Sequence, residues 1–187
     1  MKIEYLCHLI VIKMNNTIII DNFFDNFELL EQQFKEIPLF SLNEHAEVPK
    51  GATWPGKRSL SLLNTNAFLW QLIVKEIMSK SQNQRLVYDT WKMAANLHLR
   101  LKEDNEKDWI HTDPDDLTMI VFLAKTNLNS GLSLYNKDKQ ETTNIKYVQN
   151  RAVIFDGRNL HKSSLNFGDN IDNGRLTLNC FINFNKD

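Results

Sequence analysis

The chain has 187 residues, 42% of them hydrophobic and 24% charged, with 22 Lys and Arg against 23 Asp and Glu for a formal net charge of −1. That is the composition of one soluble globular domain, long enough to bury a core without disulfides. Near-neutral charge and the lack of a basic run exclude a long-range field for polyanions, so no nucleic-acid partner is expected.

The two cysteines, Cys7 and Cys180, are too few for a secreted cystine framework; they read as reduced, buried thiols of a cytoplasmic protein. The apolar run Tyr5 to Ile12 carries a histidine and is too short to span a bilayer, so no membrane association is expected. It reads as a strand or an extension, and Met14 is an alternative start. No repeat, low-complexity tract or Pro/Gly-rich linker divides the chain, which reads as one domain over 1–187 with a helical lead-in to about residue 84.

Within that lead-in, Asp25 or Asn26 can cap a helix from Phe27 to Ile37, with Phe27, Leu30, Phe34 and Ile37 at helical spacing and Pro38 as its stop. A second helix is predicted from Thr65 to Lys80, with Phe68, Leu69, Leu72, Ile73, Glu76 and Ile77 as its inward stripe. Between them, His45 to Ser61 is irregular and contains Trp54-Pro55-Gly56-Lys57-Arg58-Ser59, either a lid or a packed connector. From about residue 85 the apolar period shortens to two. Strands are predicted at Arg85–Tyr88, Trp91–Leu101, Leu117–Ala124, Gly131–Tyr135, Ile145–Val148, Arg151–Phe155 and Arg175–Phe184. Short strands after helices suggest a mainly β sandwich or jelly roll with helices packed on one sheet. In Trp91–Leu101 one face carries Trp91, Met93, Ala95, Leu97, Leu99 and Leu101, the other Lys92, Ala94, Asn96, His98 and Arg100. The polar face either meets solvent or lines a cavity.

Composition alone predicts about 0.6 His-x-Asp/Glu triplets in such a chain, so one triplet carries little weight. There are two, His45-Ala46-Glu47 and His111-Thr112-Asp113. The first sits in the irregular segment and reads as a loop pair. The second lies at the edge of a β segment, where residues two apart share a face, and is followed in order by His161 and Arg175.

The ordered set His111-x-Asp113, His161, Arg175 resembles that of the Fe(II)/2-oxoglutarate-dependent dioxygenases, in particular the compact prolyl-4-hydroxylase-like members such as those of bacteriophages. Supporting texture comes from Asp108-Trp109-Ile110-His111-Thr112-Asp113, Gly131-Leu132-Ser133-Leu134-Tyr135 and Val153-Ile154-Phe155-Asp156-Gly157. Less specific likenesses are Ile19-Ile20-Asp21-Asn22-Phe23-Phe24 and the Trp54–Ser59 segment. The resemblance implies a double-stranded β-helix (cupin-like jelly roll) holding Fe(II) on His111, Asp113 and His161. Two imidazoles and a carboxylate on one face leave metal positions open for 2-oxoglutarate and O2. It implies hydroxylation coupled to decarboxylation of 2-oxoglutarate to succinate, with ascorbate as a supporting reductant. Arg175, a lysine in many of those relatives, would pair with the distal carboxylate of the cosubstrate. Thr177 on the same face would add a hydroxyl, and Asn96 would bind the cosubstrate's other end. His98 is expected on the cavity wall and not as a ligand. Tyr135 and Arg100 are candidates for facing substrate or for structural roles. The primary substrate, a peptide or a small molecule, is left open. The competing readings are a cupin-like metalloprotein without 2-oxoglutarate and a non-enzymatic jelly-roll module that binds no metal.

Overall fold

The structure is a computed structural model and describes residues 11–14, 17–48, 53–104 and 108–185. Cys7 and most of the Tyr5–Ile12 run lie outside the described residues. In chain order the elements are β1 (Val11–Met14), β2 (Thr17–Ile20), α1 (Phe27–Glu36), β3 (Lys57–Arg58), α2 (Leu62–Thr65), α3 (Ala67–Lys80) and α4 (Gln84–Tyr88). The β half follows as β4 (Trp91–Arg100), β5 (Leu117–Phe122), β6 (Asn127–Tyr135), β7 (Glu141–Tyr147), β8 (Arg151–Asp156), β9 (Leu160–Ser163) and β10 (Arg175–Phe184).

Two antiparallel sheets result, a seven-stranded one in the order β1-β2-β8-β5-β10-β4-β3 and a three-stranded one in the order β7-β6-β9. This is the expected jelly roll. Alternation decides what each face of the large sheet meets. On β4, β5 and β10 one set of side chains, including Leu97, Met119, Val121, Leu178, Cys180 and Ile182, has no exposure and joins a core shared with Leu69, Ile73 and Ile77 of α3 and Phe34 of α1. Each such buried aliphatic side chain contributes roughly 1.5–3 kcal/mol. The alternate set, Asn96 and His98 on β4, Thr118 on β5, and Arg175, Thr177 and Asn179 on β10, lines a cavity between the sheets. The polar face of β4 is therefore an interior wall.

Several local expectations are corrected. Arg85–Tyr88 is the helix α4, not a strand. The Asn83 side chain accepts from Arg85 N (3.0 Å) to start a helical turn, and Val87 and Tyr88 are exposed, so no period-two face exists to bury. The second predicted helix is present as α3 but starts two residues later, because Asn66, with a φ of −150°, ends the separate short helix α2 and its side chain caps α3 at Leu69 N. Phe68 then points to solvent, and the inward stripe is Leu69, Ile73, Glu76, Ile77 and Lys80. The two buried charges of that stripe are paired, Lys80 Nζ lying 2.9 Å from Glu76, and Lys80 also donates to Phe23 O (2.6 Å). Asn26 stands at the N-cap of α1 without a side-chain cap bond, while Asp25 pairs with Lys80 instead. The short strands β2, β3 and β9 fall outside the predicted ones, β3 lying in the segment expected to be irregular.

Asn150 joins the N-terminal layer to the sheets. In the turn before β8, at φ 60°, it accepts from Phe24 N and donates to Phe24 O, both at 2.9 Å, while its own carbonyl accepts from Phe23 N. Asn tolerates this left-handed backbone better than most residues. Asn150→Ala leaves two buried backbone groups of Phe24 without partners, and urea unfolding should show a loss of about 2 kcal/mol or more.

Candidate metal centre

His111 and His161 face each other as an isolated antiparallel bridge, His111 N donating to His161 O (3.1 Å) and His161 N to His111 O (2.8 Å). This backbone pair brings the two rings to a centroid distance of 4.3 Å. Asp113, two residues on and held by a bond from its N–H to Gly157 O (2.8 Å), turns its carboxylate to the same point. Its oxygens lie 3.9 Å from His111 Nε2 and 3.4 Å from His161 Nε2. Ligand atoms of all three residues fall within 4.8 Å of one another, the one such group found among the described residues.

The proton positions suit metal binding. His111 Nδ1 lies 2.9 Å from Trp109 O and His161 Nδ1 lies 2.8 Å from Asn159 O, so each ring donates from Nδ1 and leaves the Nε2 lone pair free. Burial, then the neighbouring His161 ring, lowers the His111 pKa below the usual histidine value, which favours the neutral ring a metal needs. Burial raises the pKa of Asp113, but the nearby His161 ring and the Thr118 hydrogen bond outweigh it, and the carboxyl stays below its ordinary value. Thr118 Oγ1 donates to Asp113 Oδ2 at 2.6 Å. Sequence reading missed this residue; a polar Thr118 at the start of the apolar strand β5 was its only signal. Two imidazoles and one carboxylate, with outer partners in place, form a donor set that fits Fe(II) with positions left open.

These groups line a cavity of about 690 Å³, within the usual range for small-molecule sites. Arg175 is 2% exposed; Nη2 donates to Gly131 O at 3.3 Å and Nε has no partner. Burial lowers its pKa, although a guanidinium remains protonated. Thr177 Oγ1 donates to His98 O (3.3 Å). Asn96 lines the cavity with Oδ1 unpartnered, opposite Asn179, whose Oδ1 is likewise unpartnered. His98 is on the cavity wall, with Nε2 2.6 Å from Pro55 O; burial above all drives its pKa well below the usual value, leaving it neutral. Arg100 and Tyr135 do not line the cavity; Arg100 is buried against Asp104 and Asp108. The loop pair His45 and Glu47 lies on the cavity wall but is used in pinning, His45 Nε2 2.9 Å from Ser59 O and Glu47 accepting from Ser61 N.

No family model matches the chain, and no curated protein matches it in sequence. Solved structures do match in fold. The non-haem alpha-ketoglutarate-dependent epimerase SnoN from nogalamycin biosynthesis superposes with a TM-score of 0.63 at 10% identity, over 89% of this chain and 77% of that one. An oxidoreductase of the 2OG-Fe(II) oxygenase family from Burkholderia pseudomallei gives 0.60 at 8% identity, over 90% and 84%. A prolyl-4-hydroxylase from Pseudomonas putida gives 0.55 at 12% identity, over 91% and 94%. The chain has the fold of the Fe(II)/2-oxoglutarate-dependent oxygenases.

Proposed function

We propose that the protein is an Fe(II)- and 2-oxoglutarate-dependent oxygenase that hydroxylates a peptide side chain or a small molecule. The observation that carries this reading is the conjunction, in one cavity, of the His111, Asp113 and His161 ligand atoms with the buried guanidinium of Arg175, which has no carboxylate partner among the described residues and whose Nε is unpartnered. His111 and His161 would ligate through Nε2 and Asp113 through its carboxylate, with Thr118 holding that carboxylate in one orientation. Arg175 would take the distal carboxylate of 2-oxoglutarate, because a planar fork makes two parallel charge-assisted bonds and its burial removes competing water. Thr177 and Asn96 would contact the same molecule, Thr177 by turning its hydroxyl from His98 O. Bound there, iron and 2-oxoglutarate supply decarboxylation to succinate and an oxidant for a substrate C–H bond, with O2 consumed. Arg175 also separates this reading from a cupin-like metalloprotein, since a buried cation at that position has no purpose without an acidic cosubstrate. Among the described residues no helix is long and apolar enough to cross a membrane. The sparse cysteines support a cytoplasmic location.

Anaerobic addition of Fe(II) and 2-oxoglutarate to metal-stripped protein should produce the weak visible charge-transfer band of the chelated cosubstrate. Arg175→Ala should lose the band at moderate 2-oxoglutarate concentration while still binding metal; full retention of the band would overturn the assignment of Arg175. His111→Ala and Asp113→Ala should each abolish stoichiometric Fe(II) binding, and retention of iron by both would overturn the ligand set. Thr118→Val keeps the shape of the side chain and removes the bond to Asp113. Metal titration should show affinity reduced by about tenfold or more, with circular dichroism unchanged.

A further inference from the structure

Six arginines occur in the chain, and four of them have carboxylate partners: Arg85 with Asp89, Arg100 with Asp104 and Asp108, Arg151 with Asp21, and Arg158 with Asp156. The two that form no ion pair among the described residues, Arg58 and Arg175, both line the cavity. Arg175 is accounted for by the cosubstrate. Arg58 is not. Its Nε is buried without a partner, and its guanidinium lies 4.8 Å from the centroid of the Trp54 ring. Trp54 is itself 5% exposed and its Nε1–H is a second buried donor with no acceptor. Burial pushes the Arg58 pKa down to about 10, so the cation persists at neutral pH.

This pair is held in place by a strap bolted to β4. Arg58 is in register with His98, and its N–H and carbonyl exchange bonds with Phe40 at 2.9 and 2.8 Å. Ser59 N donates to Leu97 O (3.0 Å), Ser59 Oγ accepts from Leu97 N (2.9 Å), and Pro55 O meets His98. Gly56, at φ 76°, passes so close that a Cβ would lie 2.4 Å from Leu99 O. The carboxylates on the cavity wall are committed elsewhere. Glu47 accepts from Ser61 N and Asn64, Asp108 from Arg100, Asp113 from Thr118, and Asp115 from Asn183. A guanidinium without a carboxylate partner and with a buried, unsatisfied Nε is costly, and a ligand carboxylate would supply what is missing.

We propose that Arg58, with the Trp54 Nε1–H beside it, anchors an acidic group of the primary substrate, so that the substrate is a small carboxylate-bearing molecule, such as a free amino acid, and not the interior of a peptide. The inference rests on the oxygenase reading and names the substrate class for that site. Arg58 and the candidate metal ligands His111, Asp113 and His161 line the same cavity, so an acid held by Arg58 shares that cavity with the metal site.

The test uses full-length protein loaded with Mn(II), a redox-silent stand-in, and saturating 2-oxoglutarate, probed with acetate and benzoate against acetamide and benzamide. Thermal shift and calorimetry should show that the acids bind and the amides do not. Arg58→Gln should weaken acid binding roughly tenfold or more with 2-oxoglutarate affinity within about twofold of wild type. Arg58→Lys, which keeps the charge without the planar fork, should recover part of it. Three outcomes overturn the proposal while leaving the oxygenase reading intact: acids and amides behaving alike, acid-specific binding surviving in Arg58→Gln, or Arg58→Gln losing 2-oxoglutarate as Arg175→Ala does. Failure of the wild type to bind Mn(II) and 2-oxoglutarate overturns the oxygenase reading, and this proposal with it.

Discussion

The reciprocal backbone pair between His111 and His161 is the constraint on which the site depends. Two hydrogen bonds bring together residues from opposite ends of the β half, and the side chains they carry are set side by side before any ligand arrives. Asp113 follows because residues two apart in an extended segment share a face, and its direction is then held by Thr118 from the large sheet. The three-stranded sheet thus contributes His161 through β9, the seven-stranded sheet supplies Thr118 and Arg175, and the cavity is the space between them.

The protein treats buried charge in two ways. Away from the cavity it is neutralised: Lys80 meets Glu76 and Asp25 under the helices, and Arg151 meets Asp21 at the join of β2 and β8. Around the cavity Arg58 Nε, Trp54 Nε1, Arg175 Nε and the side-chain carbonyls of Asn96 and Asn179 lack partners. Orphaned polar atoms destabilise a fold, and their concentration in one place marks where ligands supply the missing hydrogen bonds. The helices offset this cost by burying the opposite face of the same sheet, which is apolar throughout its central strands.

Legibility in the sequence followed the range of the interaction that decides each feature. The strand Trp91–Leu101 was readable within one residue of its observed end, because an alternation broken only at Ala94 leaves little else for the chain to do. Arg175–Phe184 was readable for the same reason. At Arg85–Tyr88 the three apolar residues after Arg85 carried no such sidedness, and a single Asn83 cap tipped the segment into a helix. Leu160–Ser163 has no alternation of its own and is a strand only because β6 lies beside it. His111, Asp113, His161 and Arg175 could be singled out by residue type and order, since few side chains suit a metal or a carboxylate.

What the sequence determined by itself is therefore the local and periodic part: an apolar face and a polar face on the long strands, a helical lead-in, and an ordered set of residues whose chemical types suit a metal and a carboxylate. Only the tertiary structure decided that the polar face of β4 is an interior wall, that Thr118 serves Asp113, and that Arg58 Nε and Trp54 Nε1 are buried beside the cavity without hydrogen-bond partners. Such facts depend on which groups lie opposite across the sheets, and whether a buried charge is satisfied is a property of all its neighbours together, which no spacing along the chain encodes.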